Sequence, residues 1–221
     1  MNVLVACEYS GIVRDAFIAK GHNAMSCDLL PTDAPNWTYD PFTKLRTRHP
    51  ERGSHYQGSV LDVLNDAWGW DLMIAHPPCT YLANSGARWL WKDSKNGIKN
   101  LERWEKLDKA AEFFRALMNA DIPKICIENP IMLSYGIERI GRKYDQLVQP
   151  YQFGHKETKA TCFWLKGLEP LKHTTDYKEE TLALPAKIRG RLSYLPPSPD
   201  RWKLRSKTYT GIAQAMAEQW G

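Results

Sequence analysis

"NVLVACEYSGIVRDAFIAKGHNAMSCD" (residues 2–28) folds, by its own pattern, into one unit. Its first six residues are a short apolar, β-branched run ending in a polar turn, which is how a buried parallel strand reads. Ser10 stands where it can cap a helix, Ile12, Val13, Ala16 and Phe17 recur at helical spacing, and Gly21 supplies the left-handed residue that ends it. Residues 22–27 return to an apolar stretch closed by Asp28. That is one β-α-β unit.

Further along the chain, Leu72–Ala75 in "DLMIAHPPC" (71–79) and Lys124–Ile127 in "PKICIENP" (123–130) read as two more buried strands. Between them Leu101, Trp104, Leu107, Ala111, Phe114 and Met118 give a helix its apolar face. Alternation in this order implies an α/β sheet with ligands bound at the carboxyl ends of its strands. Two segments interrupt it. Residues 29–57, rich in Pro, Thr, Arg and His, are expected as a long loop made basic by Lys44, Arg46, Arg48 and Arg52. Residues 168–207 are expected to be irregular, with Pro196-Pro197 and the cations Lys187, Arg189, Arg191, Arg201, Lys203, Arg205 and Lys207.

Bulk properties bound the function. A chain of 221 residues has room for one domain with a sizeable core, or one domain with a small appendage. A composition 43% hydrophobic, 25% charged and 11% aromatic excludes a disordered or fibrous protein. The net charge of +5 suits a polyanionic partner. "MNVLVACEYSG" lacks a basic n-region and a long apolar run, so neither a signal peptide nor a membrane span is expected, and a cytoplasmic location follows. Five dispersed cysteines without a CxxC pair suggest free thiols and no metal.

Chemistry-bearing residues gather at the strand ends. Glu8, Tyr9, Ser10 and Gly11 occupy the first βα turn, and Asp28 with Leu29 closes the next strand, an arrangement that suits a nucleoside. Asp62 reads equally as a contact to an adenine amino group or as a solvated helix-start residue. Pro77 and Pro78 fix the backbone ahead of Cys79 and present its thiol at the carboxyl edge, although most cysteines are inert core residues. Glu128, followed by Asn129 and Pro130, occupies the same kind of strand end, where it reads as an acid beside the thiol or as a cap for the next helix.

In this order, a nucleoside-binding turn, an acid after the second strand, Pro-Pro-Cys and Glu-Asn-Pro resemble the catalytic half of the cytosine-C5 DNA methyltransferases. "TYTGIAQAMAEQW" (208–220) resembles the family's closing glycine-containing helix, so the resemblance runs from Val3 to about Trp164 and again from Tyr209 to Trp220. It implies a Rossmann-like methyltransferase sheet with helices on both faces over residues 1–167. Residues 168–207 would then be a reduced DNA-recognition element, and 208–221 a helix returning to the catalytic domain. It implies S-adenosylmethionine as cofactor, held by Glu8, Tyr9, Ser10, Gly11, Asp28, Leu29, Asp62, Pro77, Gly211 and Ala213. In the family a thiolate adds to carbon 6 of a flipped cytosine while a glutamate acts at N3, roles that map onto Cys79 and Glu128, with Asn129 beside them. DNA would meet Pro78, Lys156, Lys159, Arg189, Arg191 and Arg205.

The departures carry expectations of their own. Thr80 stands where the family has Gln, and Pro130 where it has Val. No counterpart of the family's arginine-bearing motif occurs in "QPYQFGHKETKATCFWL" (149–165), where Lys156 or Lys159 would supply the cation. Arg88 is a cation near enough in sequence to lower the thiol's pKa. Residues 168–207 are far too few for a separate target-recognition domain, which implies lax sequence readout and a minimal form of the kind phages carry for restriction-modification. Two alternatives stay open: the same chemistry on a free cytosine nucleotide, and a non-catalytic DNA-binding or interaction module. An amino-methyltransferase is disfavoured, because that family has an aromatic ring after Pro-Pro and this chain has Cys79.

Overall fold

The computed structural model describes residues 1–33, 37–39, 42–48, 54–65 and 68–221. Arg52 and the side chains of Arg46 and Arg48 lie outside the described residues.

The opening unit forms as its pattern dictates: β1 (Asn2–Ala6), α1 (Ile12–Ala19) and β2 (Asn23–Asp28), with β1 and β2 parallel. The next strands are β3 (Trp37–Tyr39), β4 (Leu45–Arg48), β5 (Ser54–Gln57) and β6 (Leu72–Ala75). A short hairpin, β7 (Trp91–Asp93) with β8 (Ile98–Lys99), leads into α2 (Leu101–Met118), β9 (Lys124–Pro130) and α3 (Ser134–Ile140). β10 (Gln146–Val148) and β11 (Thr161–Lys166) follow, then the short helices α4 (Lys178–Ala183), α5 (Ala186–Arg189) and α6 (Arg201–Ser206), and finally α7 (Thr210–Gln219).

Nine strands share one sheet in the order β10-β11-β9-β6-β1-β2-β5-β4-β3. The five central strands are parallel, and both flanks are antiparallel. On one face Leu4, Met73, Ile125 and Ile127 pack against Trp104, Leu107, Ala111 and Phe114 of α2. On the other, Val3, Val5, Leu72, Ile74 and Phe163 pack against Val13 and Phe17 of α1 and Ile212 and Met216 of α7. Each such side chain fully removed from water contributes about 1.5–3 kcal/mol, so α1 and α7 are held chiefly by these contacts. Leu101, expected on the apolar face of α2, is 74% exposed, because it opens the helix before the buried stripe begins.

Two expectations about loops are corrected. Residues 45–48 and 54–57 of the expected 29–57 loop are sheet strands, disguised by a polar composition that the fold satisfies internally. His55, fully buried in β5, meets Ser26 Oγ at 2.8 Å through Nδ1 and the Leu30 carbonyl at 2.9 Å through Nε2. Ser26 Oγ accepts a bond of 2.7 Å from the equally buried Arg14 guanidinium, so its own hydrogen is left for His55 Nδ1. The segment 168–207 is likewise built, from three short helices, rather than irregular throughout.

Candidate active site

Strand register assembles the site. Ala6 pairs with Cys27 and with Ala75, and Ala75 pairs with Ile127. One step further, the ends of β2, β1, β6 and β9 therefore bring Asp28, Cys7, His76 and Glu128 into one row along the carboxyl edge of the sheet. Because strand side chains alternate, His76 and Glu128 follow Ile74 and Cys126 onto the α1/α7 face.

His76 and Glu128 meet there as a buried pair, with Nδ1 2.8 Å from Oε2 and each side chain 12% exposed. Thr208, just ahead of α7, donates to the same Oε2 at 3.4 Å. Burial alone would pull the imidazole down, but the Glu128 carboxylate beside it and the Glu8 charge raise its pKa overall. Burial pushes Glu128 up, and His76, Lys159 and the Thr208 hydroxyl more than offset that, leaving it below the ordinary carboxylate value. Both shifts favour the ionic form of the pair. His76 Nε2 is buried without a hydrogen-bond partner among the described residues.

From His76 the chain runs through Pro77, buried, and Pro78, exposed, to Cys79. Asn129 Nδ2 donates to the Pro77 carbonyl at 3.3 Å, which ties the Pro-Pro bend to the end of β9. Asn129 Oδ1 is a second buried atom without a partner among the described residues. The amides of Leu82 and Ala83 both close on the Cys79 carbonyl, and Arg103 donates to the Thr80 carbonyl at 2.6 Å. The thiol is only partly buried. Burial raises its pKa, and the Glu128 charge adds to that, while its own backbone amide, Lys159 and Arg205 pull it back. Cys79 is therefore mainly a thiol in the free protein. The cations acting on it are Lys159 and Arg205 rather than Arg88, which stacks on Trp89 at 4.5 Å.

The turn after β1 is used differently. Gly11 adopts φ +73°, and an added Cβ would lie 2.2 Å from Arg14 Nη2, so the space behind this glycine is filled by the protein itself. Glu8 is buried, and its carboxylate accepts from the amides of Val13 at 2.8 Å and Arg14 at 3.3 Å, capping α1 where no N-cap side chain does. Ser10 donates to the same carboxylate at 3.2 Å, and the Tyr9 hydroxyl donates to the Lys203 carbonyl at 2.8 Å. Asp28 Oδ1 accepts from Leu30 N at 2.9 Å, and Leu29 beside it is 75% exposed. Asp62 accepts the Tyr56 hydroxyl at 3.0 Å. Gly211 packs so closely on the Phe153 carbonyl that a Cβ would lie 1.8 Å from it, and Ala213 is buried in the core of the α1/α7 face.

The sequence-derived cations separate in the same way. Lys159 faces the site, its Nζ donating to the Lys207 carbonyl at 3.4 Å above the Tyr209 ring. Lys156 instead pairs with Glu180 and sits over Tyr177, Arg191 pairs with Glu157, and Arg189 donates to the carbonyls of Leu182 and Leu184. His76 is the site residue that motif reading passed over. The available signal was its place directly after a buried strand and three residues before Cys79.

Among the described residues no group of three His, Cys, Asp or Glu side chains is arranged to hold a metal, and no helix is long and apolar enough to cross a membrane. No protein family matches the chain, and no curated protein matches it in sequence. Among solved structures, a DNA modification methyltransferase encoded within a prophage of E. coli is similar at 13% identity and a TM-score of 0.42, over 75% of this chain and 46% of that one. The Entamoeba histolytica methyltransferase EhMeth is similar at 16% identity and a TM-score of 0.44, over 80% of this chain and 57% of that one. The chain spans about half the length of these proteins.

Proposed function

We propose that this protein transfers a methyl group from S-adenosylmethionine to carbon 5 of cytosine in DNA, with Cys79 as the nucleophile and Glu128 as the acid at ring N3. The observation that carries this reading is the placement of Cys79 and Glu128 at the carboxyl ends of adjacent parallel strands, with Asn129 bonded to the Pro77 carbonyl to tie the two segments together. A thiol and a carboxyl so placed can act on one heterocycle from two sides.

The edge above β2 suits the cofactor. Asp28 places a carboxylate at the end of β2 that can accept from hydroxyl groups, and exposed Leu29 offers an apolar surface to a flat ring. When bound, S-adenosylmethionine supplies an electrophilic methyl group. The chain's own residues prepare the base. Lys159 and Arg205 favour the thiolate of Cys79, which adds to carbon 6, while Glu128 places a proton on N3 and so makes carbon 5 nucleophilic. Asn129 holds the Pro77 carbonyl, and with it the bend that aims the thiol. A cytosine within a duplex must leave the stack to reach Cys79.

Surface chemistry supports a nucleic-acid substrate. Lys92 and Lys95 lie in the hairpin that follows Cys79, with no hydrogen-bond or ion-pair partner for their side chains among the described residues, while Lys99 lies over the Trp104 ring and Arg88 over Trp89, itself 55% exposed. Open cations interleaved with an exposed aromatic ring suit phosphates and unstacked bases. The test is mass-spectrometric nucleoside analysis of DNA from a methylation-free host expressing the protein or its Cys79→Ala variant. Cysteine-dependent 5-methylcytosine is expected, and its absence with soluble protein would refute the reading.

A further inference from the structure

Glu128 does not stand alone at the sheet edge. His76 directly follows β6, and its Nδ1 and the Thr208 hydroxyl both contact Oε2. From these contacts we propose that His76 holds the proton that Glu128 delivers to N3 of the bound pyrimidine. The proposal rests on the functional reading above and adds a residue to its machinery.

Three features of the fold support it. First, the contact is built into the strand register, since Ala75 pairs with Ile127 and the next residues on each strand are His76 and Glu128. Second, the ring is not consumed by the scaffold: Nε2 has no partner among the described residues, whereas His55, the other buried histidine of this sheet, has both nitrogens engaged. Third, the surroundings favour a cation. The groups facing His76 are Glu128 from β9, Glu8 from the end of β1, Asp28 from the end of β2 and Lys159 from the segment before β11, three carboxylates against one ammonium.

The step balances. The Cys79 thiol loses its proton to water, and the thiolate forms the bond from sulfur to carbon 6 as the double bond between carbons 5 and 6 opens. The His76 Nδ1 proton passes to Glu128 Oε2, the carboxyl group turns about its Cγ–Cδ bond, and N3 takes that proton from Oε2, which returns Glu128 to the carboxylate. The pair passes from imidazolium and carboxylate to neutral imidazole and carboxylate, and the negative charge brought by the thiolate is neutralised on the base. When water later takes the proton from carbon 5, the double bond between carbons 5 and 6 re-forms and the thiolate leaves carbon 6, while N3 returns its proton to Glu128 and Glu128 to His76. An isolated buried carboxylate would need to be protonated before each turnover, and the histidine removes that requirement.

His76→Gln separates proton supply from positioning, because a glutamine amide can still donate to Glu128 but cannot ionise. We expect kcat to fall by about 10²-fold, in the range of a lost general acid, with KM nearly unchanged. The wild-type alkaline decline in kcat, set by loss of the His76 proton, should be missing in the variant. A glutamine variant with wild-type kcat and an unchanged pH profile would reduce His76 to a structural role and overturn the proposal. An activity-independent readout accompanies it: ¹⁵N-histidine NMR titration of the whole protein, with the His76 signal identified by its loss in His76→Gln. In Glu128→Gln that signal should titrate at lower pH than in wild type, and an unmoved titration overturns the pairing. If 5-methylcytosine forms but the signal does not move, this inference fails and the functional reading stands. If wild type makes no 5-methylcytosine, the functional reading fails and takes proton delivery with it, whatever the titration shows.

Discussion

The ends of β1 and β2 and the ends of β6 and β9 lie along the same edge of one sheet, yet they dispose of their polar groups in opposite ways. Near β1 and β2 the fold consumes them: Glu8 caps α1, Ser10 bonds Glu8, Tyr9 reaches the Lys203 carbonyl, and Ser26 joins Arg14 to His55. Near β6 and β9 it leaves them open, with His76 Nε2 and Asn129 Oδ1 buried and unmatched among the described residues, and Cys79 partly accessible. Buried polar atoms without partners cost stability, so a fold keeps them only where something else is gained. The difference teaches that the first half of the edge is mainly scaffold and the second half mainly chemistry.

The largest contrast should come from Cys79→Ala. Product should fall below detection, while the thermal midpoint moves by no more than about 2 °C, because a partly exposed thiol contributes little packing. Glu128→Gln should follow, with product formation down by about 10²–10⁴-fold as expected for a lost general acid. Both are read by quantitative nucleoside analysis alongside calorimetry. A large loss of stability in Cys79→Ala would place the end of β6 with the scaffold.

The opposite outcome is expected at Glu8. Glu8→Ala leaves the amides of Val13 and Arg14 without their acceptor, at a cost of about 1–3 kcal/mol. For a chain of this size that lowers the midpoint by roughly 2–4 °C per kcal/mol. Activity per folded molecule should change much less than in the Cys79 variant. A Glu8→Gln protein that is fully stable yet inactive would reverse the assignment and make Glu8 a ligand contact.

The same contrast between the two halves of the edge governs what could be read from the chain. The β-α-β unit, β6, α2 and β9 were legible because buried strands and an amphipathic helix print their periodicity directly in residues such as Leu72–Ala75 and Trp104, Leu107, Ala111 and Phe114. β5 was not legible, because a strand carrying His55 at its centre looks polar until Ser26 and Leu30 are brought to it. Cys79 and Glu128 were found because each directly follows or ends a recognisable strand. His76 was missed because its significance depends on which residue lies opposite on a strand distant in sequence. Lys156 and Lys159 could not be told apart by composition, since only the fold sends one to Glu180 and the other toward Cys79.

The His76–Glu128 pair gives the contrast a pH signature of smaller size. His76 has a raised pKa, so its contribution to stability is fully present below the ordinary histidine value of 6.5 and is lost as pH rises through the raised value. Glu128 has a lowered pKa, so its contribution is present above the ordinary value of 4.5 and is lost as pH falls through the lowered one. The stability difference between wild type and His76→Gln should therefore be greatest between pH 4.5 and 6.5 and shrink on either side. Thermal midpoints of both proteins measured from well below pH 4.5 to well above pH 6.5 test it, and a difference that stays constant over that wider span would mean that the pair does not ionise.

The smallest expected effects concern the two basic regions, which repeat the contrast on the protein surface. Arg189 donates at 2.8 and 3.0 Å to the carbonyls of Leu182 and Leu184, and its own carbonyl accepts from Thr158, so its charge is tied to holding α4 and α5 in place. The hairpin cations have no such ties among the described residues. If the hairpin meets DNA, Lys92→Glu combined with Lys95→Glu should weaken duplex binding several-fold at low salt. It should also reduce the slope of log affinity against log salt by about 0.9 for each phosphate that the variant no longer neutralises. Arg189→Ala should leave that slope unchanged while lowering stability by about 1 kcal/mol, as for a modest hydrogen-bonded side chain. Fluorescence anisotropy with a labelled duplex over a salt series reads the first effect, and thermal unfolding reads the second. The reverse pattern would return DNA binding to residues 168–207, because a cation that only braces α4 and α5 has no reason to alter counterion release.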